Sequence, residues 1–101
     1  MILCVTLNPA LDRTLVVRDF AKGGVFRPQE NRVAAGGKGI NVARAVQILG
    51  GQAMCGGFLG GFSGQSLDRM VQKEGLQARW TWLEDRETRT CVILVLQPQL
   101  R

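Results

Sequence analysis

Hydrophobic and polar positions along the chain sort into short β-type runs interrupted by two helical stretches. Residues 2–7, "ILCVTL", form a continuous apolar run stopped by Asn8-Pro9, which predicts a buried strand of a parallel sheet. "RTLVVRDF" (13–20) is a second strand candidate, with a turn at Gly23-Gly24, and "PQENRVAA" (28–35) is a weaker, more polar extended segment. From Gly39 to Leu49, Val42, Ala45, Val46 and Leu49 recur at i, i+3, i+4 and i+7, predicting a helix with that apolar face and with Arg44 and Gln47 off it. Gly50-Gly51 supplies the left-handed stop.

"QAMCGGFLGG" (52–61) is the next strand candidate, its glycines permitting close backbone approach. Ser63 is placed to cap a helix over 64–74 that buries Leu67, Met70 and Val71 and ends at Gly75. "ARWTWLED" (78–85) alternates as a strand with unlike faces, and "TRTCVILVLQ" (88–97) is the strongest β segment. The order β, β, β, α, β, α, β, β predicts an α/β fold. Its strand–helix–strand–helix–strand middle makes a parallel core, and the strands near each end make an appended small sheet. No repeat, low-complexity tract or linker divides residues 1–101, which read as a single domain. That domain is expected to be incomplete, part of a larger α/β protein, because no helix follows the best strand to cover its second face.

Composition narrows the function classes. Of 101 residues, 46% are hydrophobic and 21% charged, ordinary for a globular chain. No apolar run nears the roughly 20 residues that span a bilayer, and "MILCVTLNP" lacks a basic leader and a cleavage site. The expectation is a cytoplasmic protein with no membrane partner. Cys4, Cys55 and Cys91 have no CxxC spacing and there is no histidine, which argues against a disulfide framework or a zinc site and for free thiols. The net charge is +5, but the basic residues are scattered singly without interleaved aromatics. A nucleic-acid partner is therefore not expected, and a small anionic substrate is the better use for a few of these cations.

The glycines of "AAGGKGINVARAVQILGG" (34–51) invite a nucleotide loop, and spacing removes it. Lys38 is followed by Gly39 where a Walker A loop needs Ser or Thr, and position 42 is Val where the dinucleotide fingerprint needs its third glycine. What remains is Gly36, Gly37 and Gly39 before a helix whose first N–H groups lack intrahelical partners, with the Lys38 cation beside them. Asn41 in the first turn is a poor helix-interior residue unless its amide reaches outside the helix. Asp12, just past the first strand, suits a hydroxyl-binding acceptor or a simple turn residue. Arg89 in "ETRT" suits a phosphate fork or an exposed strand-edge arginine.

"TLNPALDRT", "GGKGINVARAVQILGG", "GFLGGFSGQSL" and "ETRT", in this order and over nearly the whole chain, resemble the N-terminal part of phosphofructokinase-B-type sugar kinases of the ribokinase-like superfamily. The subgroup is similar to the 1-phosphofructokinase and tagatose-6-phosphate kinases. The resemblance implies the N-terminal portion of a ribokinase-like fold, a parallel core with a small β-sheet lid built from about 13–35 and 88–97. It implies ATP- and Mg²⁺-dependent phosphoryl transfer to a sugar phosphate, and a possible homodimer through the lid sheet. Carried over by position, Asp12 and Asn41 would bind sugar hydroxyls and Gly36-Gly37 would let the backbone approach the sugar. Lys38 and Arg89 would hold its existing phosphate.

The chain departs from the family in two places. Ala34-Ala35 stand where a proline is common, implying a less stiff lid hinge, and no Gly-Asp dipeptide supplies the family's Gly-x-Gly-Asp catalytic base. The expectation is an acceptor-sugar side with no ATP-binding or metal-binding residues and no kinase activity of its own. The alternative is a non-catalytic remnant or regulatory, dimerising module of the same fold. A basic nucleic-acid module is a weaker third reading.

Overall fold

The computed structural model describes residues 1–97; residues 98–101, where the sequence expects the chain to run on without a covering helix, lie outside the described residues. The elements are β1 (Ile2–Thr6), β2 (Ala10–Arg18), β3 (Glu30–Gly36), α1 (Lys38–Ile48), β4 (Ala53–Leu59), α2 (Gly61–Lys73), β5 (Gln77–Trp82) and β6 (Arg89–Gln97). The order is the predicted one. They form two sheets, a parallel one ordered β1-β4-β5 and a mixed one ordered β3-β2-β6. β2 runs antiparallel to β3 and parallel to β6. The fold is therefore the expected α/β arrangement of a parallel core and a second sheet. One detail differs from the order of elements along the chain: β3, the strand that precedes α1, pairs with β2, and β1 takes the outer place in the parallel sheet.

Both helices close on glycine. The amide of Gly51 donates to Val46 O and that of Gly50 to Gln47 O, and at α2 Leu76 and Gly75 make the same pair of bonds to Val71 O and Gln72 O. Gly50 and Gly75 have φ of 86° and 76°, the left-handed C-terminal cap that the sequence signalled. The start of α2 differs from the expectation. Its N-cap is Gly60, not Ser63, and the Ser63 amide is instead held by the Glu87 carboxylate at 2.6 Å.

The core joins Cys4, Cys55 and Leu59 of the parallel sheet with Ile40 and Ala43 of α1, Leu67 and Val71 of α2, and Leu11 and Ala35 of the second sheet. α2 buries the predicted face, with Leu67 and Val71 fully enclosed. α1 does not. Val42 and Leu49 of its predicted stripe are 51% and 87% exposed, while Ile40 and Ala43 are fully buried. The helix carries two apolar arcs, and its entry from Gly37 turns the Ile40–Ala43 arc onto β1 and β4. β1 is only half-buried for a related reason. Cys4 and Thr6 face the helices, whereas Leu3 and Val5 stay exposed on the other face of the sheet. All three cysteines are free thiols.

The radius of gyration, 16.0 Å, exceeds the roughly 13 Å of a compact chain this long. At the edge of the second sheet, Val92, Ile93, Leu94, Val95 and Leu96 of β6 are all exposed among the described residues.

Candidate functional site

Parallel sheets bind ligands beyond the C-terminal ends of their strands. Here the end of β1 with the two residues after it (Val5–Asn8), the first part of β2, the first turn of α1 and the start of β6 surround an open cavity of about 530 Å³. Asp12, Gly37, Lys38, Asn41 and Arg89 all line it, together with Thr6 and Asn8. The sixth predicted residue, Gly36, sits behind Asp12: it ends β3 opposite Ala10, and a Cβ built on it would overlap the Asp12 carboxylate. Residues spread over nearly eighty positions of sequence thus meet at one site.

The turn from β3 into α1 explains the glycines. Gly37 has φ 139°, a conformation L side chains rarely adopt, and a Cβ there would lie 2.6 Å from Thr6 Cγ2. Gly37 is the N-cap of α1 and offers no side-chain acceptor, so the first amides of the helix are left to the cavity with Lys38 beside them. The other helix start is arranged differently. At α2 the Glu87 carboxylate takes the Ser63 amide, and Thr88 Oγ1 accepts from the Gly60 amide at 3.0 Å. The Ser63 amide, and after it the Ser63 hydroxyl, hold the Glu87 carboxyl below its ordinary pKa. α2 is filled from within the chain, whereas α1 is open.

Arg89 is not a free fork. Its Nη2 and Nε donate to the Asn8 carbonyl at 3.2 and 3.4 Å, and Nη1 reaches Cys91 Sγ at 3.3 Å. These long contacts station the guanidinium at the cavity rim without saturating its five donors. Lys38 is exposed and takes part in neither ion pair formed among the described residues. Asn41 is already engaged on one side, its Oδ1 accepting from Arg44 Nη1 at 2.9 Å.

Several contributors escaped sequence reasoning. Thr6 is 6% exposed and its hydroxyl has no hydrogen-bond partner among the described residues. It packs against the Gly37–Gly39 turn and sets how closely α1 approaches β1. Arg44 could have been paired with Asn41 from their i, i+3 spacing. Glu74, which binds Arg44 from thirty residues away, carried no local signal. Glu87 and Thr88 lie in "ETRT" beside Arg89, and nothing local marks them as partners of the α2 amides.

Among the described residues the cavity therefore presents one carboxylate, the carboxamides of Asn8 and Asn41, two cations and an open helix N-terminus. That set suits a small molecule bearing both hydroxyls and an anion. Three or more His, Cys, Asp or Glu close enough to hold a metal do not occur among the described residues, and no helix is long and apolar enough to cross a membrane.

The pfkB family carbohydrate kinase model matches residues 3–100. A tagatose-6-phosphate kinase of Staphylococcus epidermidis is 32% identical over 99 residues, covering 98% of this chain and 32% of the relative. The 1-phosphofructokinase of Bacillus subtilis is 37% identical over 81 residues, covering 80% and 27%. The crystal structure of phosphofructokinase-2 from Escherichia coli in complex with fructose-6-phosphate superposes with a TM-score of 0.84 at 31% identity, covering 92% of this chain and 30% of that one. The chain spans about a third of the length of the curated relatives it matches.

Proposed function

This chain belongs to the pfkB family of carbohydrate kinases, and from that premise we propose that it forms the acceptor-sugar side of a sugar-phosphate kinase of the 1-phosphofructokinase type. The acceptor is fructose 1-phosphate or a similar ketohexose phosphate, and the full reaction is ATP-dependent phosphorylation of one of its hydroxyls. The observation that carries this reading is the convergence of Asp12, Gly37, Lys38, Asn41 and Arg89 on one cavity beside the uncapped start of α1.

Each group then has a role that its chemistry allows. Asp12 accepts from sugar hydroxyls, and Asn41 donates to a hydroxyl or phosphate oxygen. Lys38, Arg89 and the first amides of α1 neutralise the phosphate the sugar already carries. The second sheet, rising over the cavity through β2 and β6, acts as the lid. Gly36-Gly37 is its hinge.

The donor set does not fit Mg²⁺, and the turn before α1 lacks the glycine spacing of a loop for the metal's partner, a nucleotide triphosphate. Among the described residues Asp12 is the one carboxylate lining the cavity and the other charged groups are cations, whereas Mg²⁺ binds through carboxylates and phosphates. No step through that pair is assigned to these residues. Nor is Asp12 assigned the proton-accepting role, since the family's base lies in a Gly-x-Gly-Asp motif and the chain has no Gly-Asp dipeptide.

The test is direct. Isothermal titration of the 101-residue chain should detect fructose 1-phosphate, and Lys38→Met should weaken it about tenfold or more, the loss of a charge-assisted bond. No ATP-dependent turnover should accompany binding. Binding unaffected by both Lys38→Met and Asp12→Asn would sink the reading.

One observation favours a second role beside the first. β6 leaves a row of apolar side chains and an unpaired edge exposed, a template for pairing with a second copy through the lid sheet. Sedimentation should show a dimer that Leu94→Lys dissociates; a wild-type monomer at micromolar concentration removes this role.

A further inference from the structure

Arg44 lies one turn after Asn41 on α1 and is the most heavily engaged side chain near the cavity. Its Nε and Nη2 grip Glu74 Oε1 and Oε2 at 2.5 and 2.9 Å. Nη2 also donates to the Ala35 carbonyl at 3.1 Å, and Nη1 donates to Asn41 Oδ1 at 2.9 Å. One guanidinium thus ties α1 to the end of α2, to the next-to-last residue of β3, and to a residue lining the cavity.

A guanidinium has donors only, so the atom Asn41 turns toward it must be the carbonyl oxygen. The carboxamide NH₂ is then the part left for the cavity. We propose that Arg44 is a positioning residue that sets the polarity of Asn41, fixing it as a hydrogen-bond donor to the bound sugar phosphate. The inference rests on the acceptor-sugar reading above and deepens it. Asp12, which lines the same cavity, accepts as a carboxylate, and Asn41 offers its NH₂ as a donor. A hydroxyl can meet either demand, donating a hydrogen bond to Asp12 or accepting one from Asn41. A deoxy position satisfies neither, so the pair selects for a hydroxyl.

Glu74 supports this assignment. It occupies the C-cap of α2, where the helix dipole disfavours a carboxylate, and the last turn already holds Lys73. Its place there is explained by what it does for Arg44: it orients the guanidinium in a fork-to-fork pair, partly shielded at 31% and 34% side-chain exposure. The same guanidinium holds the Ala35 carbonyl, so the polarity of Asn41 and the position of the hinge are set by one group.

The experiment has a ligand-free and a ligand-bound arm. The first compares the Asn41 side-chain ¹³Cγ and ¹⁵Nδ2 signals of the chain with those of Arg44→Met and Glu74→Gln. Loss of the charge-assisted bond should move Cγ upfield in Arg44→Met and less in Glu74→Gln. The second titrates fructose 1-phosphate. Arg44→Met should bind about tenfold more weakly and Arg44→Lys should recover part of the loss. Adding Asn41→Ala to Arg44→Met should cost nothing further, since both remove one interaction. An unmoved Cγ signal in a folded Arg44 variant, or additive losses in the double variant, overturns the proposal. If the wild-type chain binds no fructose 1-phosphate, the acceptor-sugar reading falls, while the Cγ comparison still decides whether Arg44 holds Asn41.

Discussion

Gly36 and Asp12 lie diagonally across the β2–β3 pair, Asp12 opposite Ala34 and Gly36 opposite Ala10, and the Asp12 carboxylate occupies the space a side chain at 36 would need. Sequence reading assigned the two residues separate tasks. In the fold they are one: the glycine is small so that the carboxylate can sit over it.

Gly36→Ala should therefore act on binding more than on stability. The overlapping atoms are the end of a flexible side chain, which can rotate away at a cost of about 1 kcal/mol or less. Asp12 then leaves its place, and fructose 1-phosphate affinity should fall about tenfold. Calorimetric melting together with a binding titration checks both halves. A large melting shift with intact binding would count against it.

The two apolar arcs of α1 make a sharp contrast. Ile40→Ala empties a fully buried site and should cost about 2–5 kcal/mol, whereas Val42→Ala, at a half-exposed site, should change stability by about 0.5 kcal/mol or less. Urea unfolding of the two variants tests which arc is inside.

Acid should loosen the start of α2. The folded-state pKa of Glu87 is lowered by the Ser63 amide, so its contribution is present above the ordinary carboxylate range and is lost as pH falls through the lowered value. Glu87→Gln should remove that part of the acid dependence. Because the carboxylate is exposed, salt should shrink the difference between the two proteins. Amide hydrogen exchange at Phe62 and Ser63 across pH 3 to 6, a range of about one unit or more on either side of an ordinary glutamate, is the measurement.

Trp80 Nε1 donates to Asp68 Oδ1 at 2.9 Å, fastening β5 to α2. Asp68→Ala should destabilise the chain by about 1–2 kcal/mol and alter tryptophan emission. An unchanged emission maximum and melting point would show the bond to be unimportant.

Much of the architecture was legible because local chemistry and tertiary contacts agree. The Gly50 and Gly75 stops, the Leu67–Val71 face and the β6 run were all readable, since backbone conformation and period are properties of neighbouring residues. The residues that line the cavity were legible in a different way. Asp12, Gly37, Lys38, Asn41 and Arg89 stood out as polar or glycine positions at the ends of predicted elements, and a family resemblance gave them an order. Their meeting in one cavity depends on β2 pairing with β6 across some eighty residues, which no local pattern encodes.

Where an element had two acceptable answers, only packing chose between them. α1 had two apolar arcs, and the close approach of Gly37 and Gly39 to Thr6 decided which one is buried. α2 had Ser63 as a ready cap, yet Glu87 arrived from the β5–β6 connection and took the amide instead. Asn41 had two ends of similar shape, and Arg44, held by Glu74, chose which one faces the cavity. The sequence by itself determined the order of elements, their stops and the chemistry available at their ends. The tertiary structure decided orientation, because which face, cap or amide end prevails depends on partners that are distant along the chain.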